Sequence, residues 1–323
     1  MTSHELVSVI IPAFNAQATL DETLRSVRGQ THKHLEILVV DDGSKDGTPA
    51  IVEQHAALDT RIRLIRQENA GVAAARNEGS RQARGNLLAF VDADDLWAAE
   101  KIEKQLAVLL VAGEGVGLVY TWYARIDGQS RIIDTAYRPT DCGNVIERLC
   151  LGNLVGNGSA ILVKRAAMVA AGGFDPSLRA QNAQGCEDWL FYFRVAERYS
   201  FAVVREPLTG YRELPDAMSA DVGRMLRSAD LVADHMLRRR PEFRKAIARG
   251  NADYRGWLLM RAIKQSQWSD AALLAGQILA REPARLFPVG VRLLHVLKNK
   301  WRAAADLSVP TRQFPVPDPV SVP

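Results

Sequence analysis

Leu87-Leu88-Ala89-Phe90-Val91-Asp92-Ala93-Asp94-Asp95 runs from five apolar residues into three carboxylates within four positions. A continuous apolar run of this length predicts a strand buried on both faces, as in a parallel sheet. In open parallel sheets, ligands bind outside the carboxyl ends of the strands. Carboxylates placed there can hold a hard divalent cation, and such a cation neutralises a diphosphate. The stretch therefore points to a metal-dependent enzyme acting on a nucleotide-linked substrate. Asp-rich turns after strands also serve as helix caps, so the neighbouring segments have to decide between the two.

They repeat the same construction. Val7-Ser8-Val9-Ile10-Ile11 reads as a strand, and Thr19-Leu20-Asp21-Glu22 has the capping-box pattern of a helix carrying Leu20, Leu24 and Val27 on one face. Leu35 to Val40 predicts a second strand ending in Asp41-Asp42-Gly43-Ser44-Lys45-Asp46-Gly47, with Thr48 and Pro49 at the start of another helix. A third strand over 61–66, a helix over 71–83 and a helix over 100–111 complete an alternating pattern that predicts an α/β fold with a mostly parallel central sheet flanked by helices. Further strands are expected at 117–123, 160–163 and 201–204, and a helix after Gly185-Cys186-Glu187-Asp188-Trp189. Beyond Asp221 the chain reads as helices, a C-terminal helical appendage.

The 323 residues carry 47% hydrophobic and 24% charged side chains, the composition of an ordinary globular protein. Three scattered cysteines, Cys142, Cys150 and Cys186, lack metal-site spacing and fit reduced thiols used in packing. No apolar run approaches the roughly 20 residues that span a bilayer, and Met1 to Glu5 lacks the basic and apolar regions of a signal peptide, so the expected location is cytoplasmic. The net charge of +4 hides an asymmetry: Asp221 to Arg302 holds seventeen Arg and Lys against seven Asp and Glu, a local +10 that leaves −6 for the remainder. Basic helices suit a solvated face or a peripheral contact with the inner face of a membrane, here through Leu286 to Trp301. No nucleic-acid motif accompanies the charge. The expected division is 1–220 as the α/β domain, 221–305 as the basic helical region, and 306–323, with Pro310, Pro315, Pro317, Pro319 and Pro323, as a disordered tail.

Pro12 to Asn15, Asp41 to Asp46 and Asp92 to Asp95 follow strands at the same predicted edge and would converge on one cleft. A carboxylate at Asp42 could accept the ring N3–H of uracil or thymine, with guanine also possible. Pro12-Ala13-Phe14-Asn15 is not a Gly-x-Gly-x-x-Gly turn, and no Gly-Lys-Ser/Thr phosphate loop occurs, so a glycine cradle is not what offsets the diphosphate. A metal at Asp94 with Asp92 beside it, aided by Arg76, is the chemical alternative. Acidic residues such as Glu187-Asp188 in a helix's first turn also complement the helix dipole.

Pro12-Ala13-Phe14-Asn15, Asp41-Asp42-Gly43-Ser44, Asn69-Ala70-Gly71 leading to Ala75-Arg76-Asn77, Asp92-Ala93-Asp94-Asp95 and Glu187-Asp188-Trp189 together resemble, in order and spacing, the motifs of family 2 glycosyltransferases over about residues 5 to 215. The resemblance implies a GT-A fold, a nucleotide-diphosphate sugar donor, a Mn²⁺ or Mg²⁺ ion, and hexosyl transfer with inversion to a glycan or lipid-linked acceptor in polysaccharide, glycolipid or glycan assembly. Position by position, it implies that Pro12, Ala13 and Asn15 line the nucleotide and Asp42 reads the base. Asp92 and Ala93 would lie against ribose or sugar, Arg76 and Asn77 near sugar and phosphates, and Asp94 at the metal. Asp188 becomes the general base, with Glu187 orienting the acceptor or supporting it. Related sequences often follow Tyr-Arg with a His two residues on, a further metal ligand; here Leu214 stands there, which implies weaker metal binding unless Glu213 or Asp216 substitutes. A non-catalytic sugar-nucleotide-binding module or scaffold is the alternative from another class. A nucleotidyltransferase would need a Gly-rich basic loop after the first strand, which is absent.

Overall fold

The computed structural model describes residues 5–214, 220–281 and 312–317. In chain order the elements are β1 (Val7–Ala13), α1 (Leu20–Arg28), β2 (Leu35–Asp41), α2 (Thr48–Leu58), β3 (Ile62–Arg66), α3 (Val72–Gln82), β4 (Leu87–Phe90), β5 (Leu96–Trp97) and α4 (Lys101–Val111). There follow β6 (Val116–Ile126), β7 (Ile132–Asp134), α5 (Ile146–Cys150), β8 (Ile161–Lys164), α6 (Arg165–Ala170), α7 (Ser177–Ala180), α8 (Glu187–Ala196) and β9 (Ser200–Arg212). Three long helices close the described chain: α9 (Val222–Arg239), α10 (Arg244–Lys264) and α11 (Trp268–Arg281).

The strands form one sheet in the order β3-β2-β1-β4-β8-β6-β9-β5, with β7 on the far end of β6. β3, β2, β1 and β4 are parallel, as the apolar runs predict. Beyond β4 the sheet is mixed: β8 is antiparallel to both β4 and β6, while β6 and β9 run parallel. The result is the architecture of a GT-A fold, an α/β sheet that turns mixed on one side.

Period-2 alternation explains why β1 and β4 read as unbroken apolar runs. Val7, Val9 and Ile11 face a core shared with α1 and α4, whereas Ile10, Leu88 and Phe90 face a second core on the other side of the sheet. The second core continues without a break through α8 into the C-terminal helices, taking in Val222, Met225, Ala229, Val232, Met236, Leu258, Leu259 and Leu274. Cys150 and Cys186 lie within it, and Cys142 is exposed.

Two local expectations change. The capping box at Thr19 to Glu22 does not form, because both side chains bond across the fold instead: Thr19 Oγ1 donates to the Ala93 carbonyl at 2.9 Å, and Glu22 accepts from Ser130 and Arg212. Part of the Pro-rich tail is packed, not free. Phe314 is 3% exposed, its N–H donates to the Ser130 carbonyl at 2.9 Å, and Gln313 bridges Arg131. Burial of this ring is joined by a second backbone bond, from the Ile132 N–H to the Arg312 carbonyl at 2.8 Å, in holding the segment. Leu286 to Trp301 and the remainder of the tail fall outside the described residues.

α10 is seated on α5 through a backbone contact. A Cβ at Gly250 would stand 2.3 Å from the Cys150 carbonyl oxygen and 2.9 Å from the Leu151 Cα. On a free helix, Gly→Ala gains about 1 kcal/mol. Here the sign is expected to reverse, with Gly250→Ala losing on the order of 1–3 kcal/mol to overpacking; a raised midpoint in urea denaturation would contradict the contact.

Candidate active site

The loop after β4 places three carboxylates side by side, and the fold supplies each with a different environment. Asp95 is 1% exposed; it accepts from Ser159 Oγ at 2.5 Å and from the Arg212 backbone N–H at 2.9 Å. Burial, then the charges of Asp94 and Asp92, push its pKa well above the ordinary carboxylate range. Asp95 is therefore an internal anchor of the loop. Ser159 works in both directions, since its hydroxyl also accepts the Asp92 N–H at 2.9 Å. Thr23 Oγ1 donates to the carbonyls of Ala93 and Asp95 at 3.0 and 2.9 Å.

Arg212 closes this loop from the other end of the chain. Its guanidinium, 1% exposed, donates to the Asp94 carbonyl at 2.6 Å, to the Asp127 carbonyl and Ser130 Oγ at 3.1 Å each, and to Glu22 Oε2 at 2.7 Å. The Asp94 side chain remains available. Burial and then the Asp92 charge lift it to about 6, with Arg212 and Arg76 acting in the opposite sense without cancelling the effect. A carboxylate whose proton is held by crowding and desolvation gains most from a cation, so the residues fit a divalent ion coordinated by Asp94 together with oxygens of a ligand. Among the described residues no three His, Cys, Asp or Glu side chains converge as a self-contained metal site. Glu213 is engaged elsewhere, accepting from Arg125 Nη1 at 3.0 Å, Leu214 offers no ligand atom, and Asp216 lies outside the described residues.

Arg76, on α3, connects the carboxylate loop to the start of α8. It is 4% exposed, donates from Nη2 to Asp92 Oδ1 at 2.5 Å and lies over the Phe174 ring at 5.1 Å. Gly158 makes room for it, since a Cβ there would stand 2.4 Å from Nη2. Burial opposes its charge, but Asp92 and then Asp188 outweigh this and keep it protonated. Asp188 sits in the first turn of α8, as the dipole argument allows, and accepts from Asn153 Nδ2 at 3.1 Å and from the Trp189 N–H at 2.6 Å. Burial raises its pKa, and Arg76 partly restores it. Glu187, 4% exposed and also raised by burial, accepts the Gly185 N–H at 2.8 Å.

On the other side of the cleft, Pro12 and Ala13 are buried at the end of β1, opposite Val40 and Asp41. Asn15 is exposed with φ of 48°, and its Oδ1 accepts the Lys45 N–H at 2.9 Å while its own N–H donates to Ser44 Oγ at 2.9 Å. These bonds stitch the loops after β1 and β2 together. The Asp42 carboxylate is occupied by its own chain: Oδ1 accepts from Gln67 Nε2 and the Ala70 N–H at 2.7 Å each, and Oδ2 accepts the Gly71 N–H at 2.8 Å. Asn77 likewise turns inward, exchanging two bonds of 2.8 and 2.9 Å with the Phe174 backbone.

The structure thus brings Arg76, Asp92, Asp94 and Asp188 together, and gives Asp42 and Asn77 bonds to the loops that shape the cleft. Sequence reasoning missed Arg212, Ser159 and Asn153, whose partners lie far along the chain and leave no local pattern. It also passed over Phe14, 50% exposed beside the stitched loops, which an aromatic in a predicted loop could have flagged.

The order and direction of the strands, with the carboxylate edge after β4, are those of a GT-A fold. Residues 8–153 match the family described as Glycosyl transferase family 2. The chain is 32% identical to "Putative glycosyltransferase EpsH" of Bacillus subtilis over 64% of its own length and 60% of that protein. It spans 33% to 60% of the lengths of the first curated relatives it matches. Among solved structures it resembles Staphylococcus aureus TarS 1-349 in complex with UDP-GlcNAc, with TM-score 0.61 and 18% identity over 88% of this chain and 83% of that one. It also resembles the mannosyltransferase PcManGT from Pyrobaculum calidifontis in complex with GDP-Man and Mn²⁺, with TM-score 0.54 and 22% identity over 92% and 87%. These two likenesses concern the fold.

Because the buried guanidinium of Arg212 satisfies three neutral acceptors and the partly exposed Glu22, Arg212→Ala is expected to lose about 1–3 kcal/mol. Arg212→Lys should fall between, since an ammonium cannot reproduce the planar fork. Urea denaturation midpoints read both, and an unchanged midpoint for Arg212→Ala would refute this account of the loop.

Proposed function

We propose that the protein is an inverting glycosyltransferase that moves a sugar from a nucleoside-diphosphate sugar to a hydroxyl acceptor in glycan assembly. The observation that carries this reading is the placement of Asp188, a buried carboxylate of raised pKa, within electrostatic reach of the same Arg76 that pairs with Asp92. A general base works best when its pKa approaches the working pH, and desolvation moves Asp188 in that direction. In the proposed step the Asp188 carboxylate takes the proton of the acceptor hydroxyl. The acceptor oxygen bonds the anomeric carbon from the face opposite the diphosphate, and the bond from that carbon to the diphosphate oxygen breaks. Asn153 and the Trp189 N–H hold the base in one orientation.

On the donor side, a carboxylate has about four lone-pair positions, and Asp42 uses three on its own chain. One position is left for a base N–H, which favours a uridine or thymidine donor, with guanosine also compatible. Phe14 offers a ring for the base to stack on. Arg76 fixes Asp92, and Pro12, Ala13, Asn15, Asn77 and Ala93 shape the loops around the donor. Mn²⁺ or Mg²⁺ held by Asp94 and by donor phosphate oxygens would take up the charge developing on the leaving diphosphate.

A panel of UDP-, dTDP- and GDP-sugars, assayed for binding and turnover with and without Mn²⁺, tests the reading. Asp188→Asn is expected to abolish transfer and keep nucleotide binding, and Asp94→Ala to weaken both. Full activity in Asp188→Asn would remove the assigned base; binding without turnover of any donor would favour a non-catalytic module. Proton and cation compete for Asp94, so Mn²⁺ affinity should hold above pH 7 and fall as the pH drops through about 6. A Mn²⁺ titration equal at pH 7.5 and pH 5 would count against Asp94 as the ligand.

The reading extends to the location of the acceptor. No helix among the described residues is long and apolar enough to cross a membrane. Trp257 and Trp268, 42% and 65% exposed, and Leu273 and Leu279 share α10 and α11 with the basic Arg261 and Lys264. Exposed indoles with basic neighbours suit an anionic lipid surface on which a lipid-linked acceptor is carried. Sedimentation with vesicles containing anionic lipid should carry the protein down at low salt and release it at high salt; failure to sediment at low salt would remove this contact.

A further inference from the structure

Residues 312–317 lie across the two supports of the acidic loop. At one end they run antiparallel to the turn after β6: the Ile132 N–H donates to the Arg312 carbonyl at 2.8 Å, the Phe314 N–H to the Ser130 carbonyl at 2.9 Å, and Gln313 stands opposite Arg131. In the middle, the Phe314 ring is sunk into the core shared by β6 and β9, where a Cβ at Gly210 would stand 3.1 Å from the ring. At the other end, Pro317 rests on the end of α1, and a Cβ at Gly29 would stand 2.2 Å from it. Both glycines leave room that the segment fills.

Each support reaches the loop that bears Asp94. α1 supplies Thr19 and Thr23, whose hydroxyls donate to the Ala93 and Asp95 carbonyls. The turn after β6 supplies Ser130, which is 6% exposed and held at four points. Its N–H donates to the Asp127 carbonyl at 3.0 Å and its carbonyl accepts from Phe314, while its hydroxyl donates to Glu22 Oε1 at 2.6 Å and accepts from Arg212 Nη1 at 3.1 Å. The φ of Ser130 is 63°, in the left-handed region, where a residue with a side chain stays only if its surroundings fix it. The bond from Phe314 and the pairing at Gln313 are part of what fixes it. Carbonyl and hydroxyl belong to one constrained residue, so a turn released on the side of the segment loses its aim toward Glu22 and Arg212. The 2.6 Å bond from Arg212 Nε to the Asp94 carbonyl then loses its backing.

Groups that orient a metal ligand change its affinity without touching the metal. A cover for the apolar edge of β9 would need only the Phe314 ring, and would not need backbone pairing that ends on a left-handed serine. Resting on the reading of Asp94 as a cation ligand, we propose that residues 312–317 position the acidic loop for the donor-bound cation, with Phe314 acting through Ser130 and Arg212 on Asp94. Phe314 is a positioning residue, distant from donor and metal alike. The metal-dependent part of nucleotide binding thus draws on a segment that follows the helical region in sequence.

Calorimetry on the full chain compares UDP and GDP binding in Mn²⁺ with binding in EDTA, and electron paramagnetic resonance reads bound Mn²⁺ directly. Well below the melting midpoint, Phe314→Ala should weaken Mn²⁺ binding in the presence of nucleotide about tenfold and leave nucleotide binding in EDTA unchanged. Phe314→Leu, which keeps an apolar side chain in the site, should recover most of the loss. Ser130→Ala keeps the backbone bond to Phe314 but removes the hydroxyl; it should show the same metal-selective loss, and the double variant little more than either, since both act along one route. If Phe314→Ala lowers the melting midpoint while Mn²⁺ affinity holds, the segment is a cover for the core and the assignment falls. It falls equally if nucleotide binding in EDTA drops by the same factor, or if the two losses add in the double variant. Should Phe314→Ala not fold, Ser130→Ala decides, and Mn²⁺ affinity unchanged there overturns the route. A wild-type chain that binds nucleotide equally in Mn²⁺ and EDTA sinks the cation reading, and the positioning role with it; a wild-type response to Mn²⁺ that the variants retain sinks the positioning role alone.

Discussion

Three carboxylates within four residues repel one another, and much of this fold serves to hold them together at the end of β4. In a low-dielectric interior that repulsion is strong enough to drive protonation. The chain answers with two buried arginines of different reach. Arg212 divides its guanidinium among two carbonyl oxygens, the Ser130 hydroxyl and the Glu22 carboxylate, fixing the Asp94 carbonyl of the loop, while its N–H and Ser159 satisfy Asp95. Arg76 meets Asp92 directly and extends its field to Asp188. Asp94 is left as the one member of the cluster whose charge an incoming cation can settle.

This division of labour separates three residues that look alike as letters. Asp92, Asp94 and Asp95 differ only in what faces them: a guanidinium, an open edge and a hydroxyl with an amide. The same holds at the end of β2, where Asp42 first orders the segment 67–71 that opens α3 and has a single lone-pair position to spare. Groups at such a site serve packing and chemistry at once.

β1, β2 and β4 were legible because each carries both core faces in one largely apolar run, a pattern that depends on no distant partner, whereas β3 is short and has Arg63 and Arg66 exposed. The longer helices were legible from their periodicity, α5, α6 and α7 being too short to carry one, and the edge bearing Asp94 from its carboxylates. What the sequence concealed was long-range. Thr19 and Glu22 have the spacing of a capping box, yet their oxygens bond to Ala93, Ser130 and Arg212, because satisfying the crowded loop outweighs a single helix cap. Asn77 was assigned to the donor from its motif, but its amide is matched in two directions to the Phe174 backbone. Phe314 sits in a stretch whose prolines suggest disorder, and its buried ring and two backbone bonds pin it. The mixed half of the sheet, with β8 inserted antiparallel between β4 and β6, has no signature in any single strand.

The bond from the Arg212 N–H to Asp95 spans 117 residues of sequence. Chains emerge from the ribosome at about 5–20 residues per second, so roughly 6 to 23 s separate synthesis of the acidic loop from that of its last cation. During this interval β1 to β4 can pair and Arg76 can meet Asp92, while Asp95 and the Asp94 carbonyl still lack Arg212. Nascent chains arrested between residues 95 and 212 would then hold a formed parallel sheet whose acidic loop is still unfixed. The acidic loop thus gains the last of its buried partners only with β9, the strand made last in the sheet.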